Sequence, residues 1–220
     1  MMTSVAAGSG PGEDFFARAR SRLRLVPPAG LTDPTVKVRR GDHDLDPVMR
    51  KIAEVRPIRP AAVLIPVIDR SEPMVLFTQR ATHLPDHAGQ ISFPGGKIDQ
   101  GDASPLAAAL REAKEEIGLG SEFIEAIGYL DLYLTTQGYR IVPTLARIRP
   151  GFSLSLNRAE VDEAFEVPLA FLMHPENHQR HSREWRGLSR SYYAIPFGDR
   201  YIWGVTAGIL RNLYERIYRE

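Results

Sequence analysis

Three carboxylates stand within one turn of a predicted helix, at Glu112, Glu115 and Glu116. Residues four apart on a helix lie one above the other, so Glu112 and Glu116 present their oxygens to one point in space. The cluster repels itself, and Glu115 and Glu116 stand near the helix C-terminus, where the macrodipole disfavours anions. A hard divalent cation resolves both conflicts, because oxygen ligands at i and i+4 suit Mg²⁺ or Mn²⁺. Glu112 and Glu116 are therefore the expected metal ligands, with Glu115 joining them or holding a second ion. A bare hexapeptide of this type reads as a solvated acidic face, but its context differs. Gly95 and Gly96 follow an apolar run and Pro94. A glycine pair there serves a tight turn, or lets backbone approach a phosphate or pass over the helix.

These groups need a helix to hold them. Ser104 followed by Pro105 is an N-cap and first-turn pair, and Gly118 is a terminator, so the spacing predicts a helix over Pro105 to Ile117. Leu106, Leu110, Ala113 and Ile117 share one of its faces, about 140° from the three glutamates. Ala61 to Ile68 and Met74 to Gln79 read as a hairpin, and Gln90 to Phe93 as a short strand. Ile124 to Thr135 and Tyr139 to Ile148 flank Thr136, Gln137 and Gly138 as a second long hairpin. Tyr192 to Phe197 and Tyr201 to Trp203 form a last strand pair, with helices around Val167 to Met173 and over Val205 to Tyr218. The expected fold is α/β, a mixed sheet with helices on both faces.

Residues 1–12 are small and polar and are expected to be a flexible tail. Residues 13–60 are expected to be an N-terminal helix and a proline-rich wrapping segment, with a helix at Pro47 to Val55, and residues 61–220 the main domain. Phe15 to Leu25 is Arg-rich, as organellar presequences are, but Glu13 and Asp14 before it favour a helix with an acidic start. With 220 residues, 43% hydrophobic, 25% charged and a net charge of +1, the chain suits one soluble core and no nucleic-acid partner. It has no cysteine, which excludes disulfides, thiolate metal sites and a cysteine nucleophile. No apolar run is long enough for a membrane span, and a cytoplasmic location is expected.

Gly96 to Leu119 resembles the Nudix box, and Arg111 to Leu119 fits its second half at every position. Asp102 occupies the acidic position of the first half, with eight residues rather than seven before Arg111. The resemblance implies a Nudix-type α/β/α sandwich and a metal-dependent pyrophosphatase. It also implies an Asp102 to Arg111 pair that steadies the loop, with Arg111 in the catalytic machinery. Leu76 to Gly96 (LFTQRATHLPDHAGQISFPGG) resembles the signature of the coenzyme A pyrophosphatase branch, which carries the same altered box. Cleavage of CoA or acyl-CoA to 4′-phosphopantetheine and adenosine 3′,5′-bisphosphate is the implied reaction. ADP-ribose, NADH or another nucleoside diphosphate derivative is the alternative substrate, and a non-catalytic binding protein the remoter one.

In that setting Arg80 could clamp a phosphate bidentately, and His83, His87 and Lys97 could donate to its oxygens. Substrate contacts are thus expected from Arg80, His87, Gln90, Gly95, Gly96 and Lys97. Gln90 and Ser92, alternating with Ile91 and Phe93, read as the exposed face of a strand. Glu160, Asp162, Glu163 and Glu166 read as a solvated helix lead-in; by resemblance Glu163 is an extra metal ligand or, with Glu115, a candidate general base. His174, His178 and His181 have helix-like spacing, but Pro175 and polar neighbours favour a surface loop. The partner expected is the small-molecule substrate, with a homodimer left open.

Overall fold

The computed structural model describes residues 11–185 and 188–219; most of the expected tail lies outside them. Its centre is strand β2 (Arg59–Ile68), apolar almost throughout because both of its faces are covered. β2 pairs in parallel along its whole length with β8 (Tyr139–Ile148), Arg59 opposite Tyr139 and Ile68 opposite Ile148. It begins two residues before the expected strand, so the boundary drawn at residue 60 falls inside it.

β3 (Met74–Arg80) pairs with β2 only at Val67–Val75 and Ile68–Met74. The expected hairpin is therefore closed at its turn and splayed beyond it. β5 (Gly95–Lys97) fills the gap on the β2 side, against Ala61 to Val63, and β4 (Ile91–Ser92) fills it on the β3 side, against Thr78 and Gln79. The outer edge of β3 carries β9 (Val161–Pro168). This stretch was expected to lead into a helix. It is instead an antiparallel strand whose Phe165 stacks on Phe77 at 5.8 Å, and the helix that follows, α4 (Leu169–Leu172), is a single turn.

β6 (Ile124–Tyr129) and β7 (Tyr133–Leu134) both pair with β8. They replace one expected strand, because the chain leaving α1 (Pro11–Arg22) crosses at Gly128. A Cβ there would stand 2.6 Å from Leu23 Cβ, Arg24 bridges to Tyr129, and the ladder bulges between Ala126 and Gly128. β1 (Arg40–Gly41) completes that edge beside β7.

α3 (Pro105–Ile117) covers one face of the sheet, its Ala109, Ala113 and Ile117 packed with Ala62, Leu64, Leu76 and Ala146. On the other face α1 and α5 (Val205–Tyr218) place Phe15, Phe16, Leu210 and Leu213 against Ile65, Phe77 and Leu145. The fold is an α/β/α sandwich around a mixed sheet. α1 starts at Pro11, inside the expected tail, and its buried phenylalanines make it part of the core. α2 (Val48–Glu54) lies where a helix was expected.

A second, three-stranded sheet joins β10 (Gln179–Trp185), β11 (Leu188–Phe197) and β12 (Arg200–Trp203). β10 has no apolar alternation, which is why its sequence reads as a loop; its ladder with β11 holds it. Of the histidines nearby, His174 is exposed, as a surface loop would have it, and the other two are held by neighbours. His178 is buried, 2.6 Å from the Leu172 carbonyl, and His181 lies beside the rings of Tyr192 and Tyr201. Among the described residues no helix is long and apolar enough to cross a membrane.

Candidate functional site

α3 is bounded as its caps dictate. Ser104 Oγ accepts the Ala107 N–H at 3.1 Å, and Gly118, at φ +69°, donates to the Lys114 carbonyl at 3.0 Å. Its packed side is rotated from the expected one: Ala108, Ala109, Ala113, Glu116 and Ile117 are buried, while Leu106 and Leu110 are half-buried. Alanines stand where the helix approaches the sheet, and the rotation carries Glu116 inward.

Glu116 is only 5% exposed, and its Oε2 accepts the Gly95 N–H at 3.3 Å. Burial, reinforced by the charge of Glu112, pushes its carboxyl up to about 8; the Gly95 bond and Arg80 pull the other way. Glu112 is half-buried, and desolvation raises its carboxyl too. Glu115 is exposed at the rim. A Cβ on Gly96 would stand 2.4 Å from Glu112 Oε1, and one on Gly95 would stand 2.4 Å from the Ala62 carbonyl oxygen. The two glycines thus let the loop lie against β2 on one side and the carboxylates on the other.

Arg111 binds the loop to the helix. Its Nε and Nη2 donate to Asp102 Oδ1 and Oδ2 at 3.1 and 3.0 Å, and Nη2 also reaches the Lys97 carbonyl at 3.1 Å. Nη1 donates to Glu112 and Glu115, each at 3.0 Å. The Arg111 hydrogen bonds hold the Asp102 carboxyl below the usual range.

Among the described residues no three acidic or histidine side chains already converge as a cation cage. The donor set nevertheless fits a hard divalent ion. Two carboxylates with raised affinity for protons share one face, and such groups gain most from a cation beside them.

Of the upstream residues, Arg80 lies within the field of Glu116, and its Nε is buried with no hydrogen-bond partner. His87, at φ +58°, and Gln90 bond each other in the loop between β3 and β4, Nδ1 to Oε1 at 2.7 Å. Lys97 contributes its carbonyl to Arg111, and its side chain is exposed.

Glu163 is not brought to the α3 carboxylates. Both of its oxygens are taken by Arg200 at 2.6 Å, and that guanidinium also lies over the Phe165 ring, 4.3 Å from its centroid. Phe165 packs into the core on the α5 side of the sheet, whereas Ala164 packs on the α3 side. Alternation therefore gives Glu163 the α5 side. The carboxylate that does act on the α3 cluster is Glu160, whose charge raises both Glu112 and Glu116. Asn157 holds it there, donating Nδ2 to Glu160 Oε1 at 3.0 Å and its backbone N–H to the Glu116 carbonyl at 2.9 Å. A bulge where Arg80 meets Val161 shifts the side-chain parity of β9, and parity across a bulge cannot be counted in sequence.

A family model described as the NUDIX domain matches residues 58–186. The protein named uncharacterized Nudix hydrolase NudL from Escherichia coli strain K12 is 41% identical over 159 residues, covering 72% of this chain and 83% of its own. NudL of Shigella boydii serotype 4 matches to the same extent. Among solved structures, a Caenorhabditis elegans Ap4A hydrolase binary complex aligns at 23% identity and a TM-score of 0.42, over 50% of this chain and 80% of that one. DR0079 from Deinococcus radiodurans aligns at 13% identity and a TM-score of 0.47, over 74% and 86%. On the domain match and the extent of identity with NudL, the chain belongs to the Nudix hydrolase family, enzymes acting on phosphoanhydride bonds.

Proposed function

We propose that this chain hydrolyses the diphosphate bond of a nucleoside diphosphate derivative at the Gly95–Gly96 loop and the α3 carboxylates. The observation that carries the reading is the buried Glu116 carboxylate, beside Glu112 and bonded to the loop at Gly95 N. Glu112 and Glu116 would hold Mg²⁺ or Mn²⁺, with Glu115 beside them. Such a cation, when bound, supplies charge neutralisation and Lewis acidity. The protein's own groups do the rest. Arg80 grips the diphosphate, and Arg111 fixes the loop by spending its donors on Asp102, Lys97, Glu112 and Glu115. Glu115, at the exposed rim, accepts the proton of the attacking water, and Glu160 adds negative field behind the ligands. Glu163, clamped by Arg200, has a positioning role on the other side of the sheet.

Family membership supports the broad substrate class, which includes ADP-ribose and NADH. CoA or acyl-CoA is the narrower reading within it, supported by the resemblance of Leu76 to Gly96 and by the extra residue between Asp102 and Arg111. Product analysis with CoA, an acyl-CoA, ADP-ribose and NADH in Mg²⁺ tests both. Release of 4′-phosphopantetheine and adenosine 3′,5′-bisphosphate, with the highest kcat/KM on CoA or acyl-CoA, supports the narrower reading. A higher kcat/KM on ADP-ribose or NADH removes it and keeps the class; no metal-dependent turnover of any of them removes both.

A further inference from the structure

The loop between β3 and β4 has little burial of its own: every residue from Thr82 to Ala88 except Leu84 is exposed. It also holds His87 at φ +58°, the one non-glycine residue with positive φ among the described residues. Backbone of that kind persists only where its surroundings over-determine it. The loop's shape therefore has to come from the hydrogen bonds at its base, and those bonds enclose Arg80. The Arg80 N–H donates to the Gln90 carbonyl at 3.0 Å, and its carbonyl accepts the Gly89 N–H at 3.1 Å. The next N–H, of Ala81, reaches the Glu160 carbonyl at 2.9 Å.

A row of side chains on the α5 face of the sheet grips this base. Gln79 has the parity of Phe77, which packs on that face, and its Nε2 donates to the Gly89 carbonyl at 3.3 Å. Its Oε1 accepts Arg200 Nη1 at 3.1 Å. Arg200 is held in turn by the two Glu163 oxygens, each at 2.6 Å, and by the Phe165 ring beneath it. With its oxygen on a guanidinium, the Gln79 amide can present only its NH₂ group to Gly89. Arg80, the next residue of β3, points to the opposite face, where it lies within the field of Glu116. Glu163 and Arg200 are thus joined to the site through the sheet, although neither side chain enters it.

We propose that Arg200 is a positioning residue for the reaction: through Gln79 it fixes the base of the β3–β4 loop and so sets where Arg80 meets the substrate diphosphate. The inference rests on the reading that Arg80 grips a diphosphate, and extends it to a residue that touches neither substrate nor metal. A purely structural role predicts a different outcome. Glu163 and Arg200 are partly exposed, and an exposed ion pair contributes little to stability. Loss of the pair should therefore be felt in substrate binding and hardly in unfolding.

Two variants cut the row at different links. Arg200→Met removes the guanidinium and keeps an apolar stem over Phe165, whereas Gln79→Glu keeps an acceptor for Arg200 and removes the donor to Gly89. Calorimetric titration of the full chain in Mg²⁺ with methylenediphosphonate, a diphosphate analogue that is not hydrolysed, measures the grip without turnover. Each variant should bind it about tenfold more weakly than the wild type, short of the roughly hundredfold that an ångström of misplacement costs. The double variant should be no weaker than either single one, since both break the same row. Mg²⁺ affinity should be unchanged, the Tm should move by no more than about 3 °C, and hydrogen exchange should quicken at the Gly89 N–H. With CoA and ADP-ribose as substrates, KM should rise while kcat stays nearly constant. Wild-type affinity in either variant, additive losses in the double variant, or a loss confined to kcat would overturn the proposal. A fall in Tm that accounts for the lost affinity would make the role structural and overturn it too, as would a wild-type chain that does not bind the diphosphonate. Absence of turnover by the wild type would remove the hydrolase reading alone, because binding and exchange still decide the role of Arg200.

Discussion

The Arg111 guanidinium closes on the Asp102 carboxylate as a fork, with Nε 3.1 Å from Oδ1 and Nη2 3.0 Å from Oδ2. The pair ties the loop to the helix across the eight residues between them, so the longer spacing is taken up before α3 begins and leaves the carboxylates in place. Asp102→Asn keeps one acceptor and loses the charge. Its turnover should fall by about ten- to a hundredfold, as when a supporting contact is removed from a ligand, with metal affinity little changed. Glu116→Gln, which removes a proposed ligand charge, should abolish nearly all turnover and weaken metal binding in a folded protein. Metal titrations and kcat of the two variants check this, and equal losses in both would place Asp102 on the metal.

The two loop glycines should fail differently. At Gly96 an added methyl meets the mobile end of Glu112, so Gly96→Ala should fold with an unchanged Tm and lose about a hundredfold in kcat, because a ligand oxygen is displaced by an ångström or so. At Gly95 the methyl meets the rigid Ala62 carbonyl and Val63 Cα, so Gly95→Ala should lower the Tm as well. Thermal unfolding beside steady-state kinetics separates the two.

Glu160→Gln should impair turnover more than Glu163→Gln does. Glu160 acts on Glu112 and Glu116 through its charge, whereas the Arg200 hydrogen bonds hold the Glu163 carboxyl below its ordinary range on the far side of the sheet. Parallel kcat measurements in saturating Mg²⁺ decide it. A greater loss in Glu163→Gln would restore that residue as ligand or base.

Asp44 gives a stability signature separate from catalysis. Burial, with Glu215 adding to it against Arg40, Arg50 and the Gly41 N–H, raises its carboxyl from 3.8 to about 6. A carboxyl raised on folding stabilises the protein fully only below its unfolded value, so this contribution is lost as pH climbs from about 4 through about 6. The loss is on the order of 3 kcal/mol. Asp44→Asn, which can still accept the Gly41 N–H, should remove the dependence. Urea unfolding of both proteins between pH 4 and 7 should show their stabilities diverging across that window; parallel curves would count against it.

The parts of this molecule written in local chemistry were legible in its sequence. Ser104, Pro105 and Gly118 bound α3, and Val205 to Tyr218 is α5, because caps and helical periodicity act within a few residues. The glycine pair and the acidic cluster were visible for the same reason. What escaped depends on distant partners. The splayed β2–β3 hairpin is set by β4 and β5 entering between the strands, the polar β10 is held by its ladder with β11, and Glu160 is turned toward Glu116 by a bulge and by Asn157.

The parallel pairing of β2 with β8 has a consequence for how the chain is made. β2 leaves the ribosome long before its partner, and the whole loop–helix segment of the site is synthesised between them. Until Ile148 has emerged, one edge of this largely apolar strand has nothing to pair with, and long-range parallel pairing is slow to form. Nascent chains stalled before Tyr139 should therefore be sticky and bound by chaperones, while those stalled well beyond Ile148 should begin to resist protease.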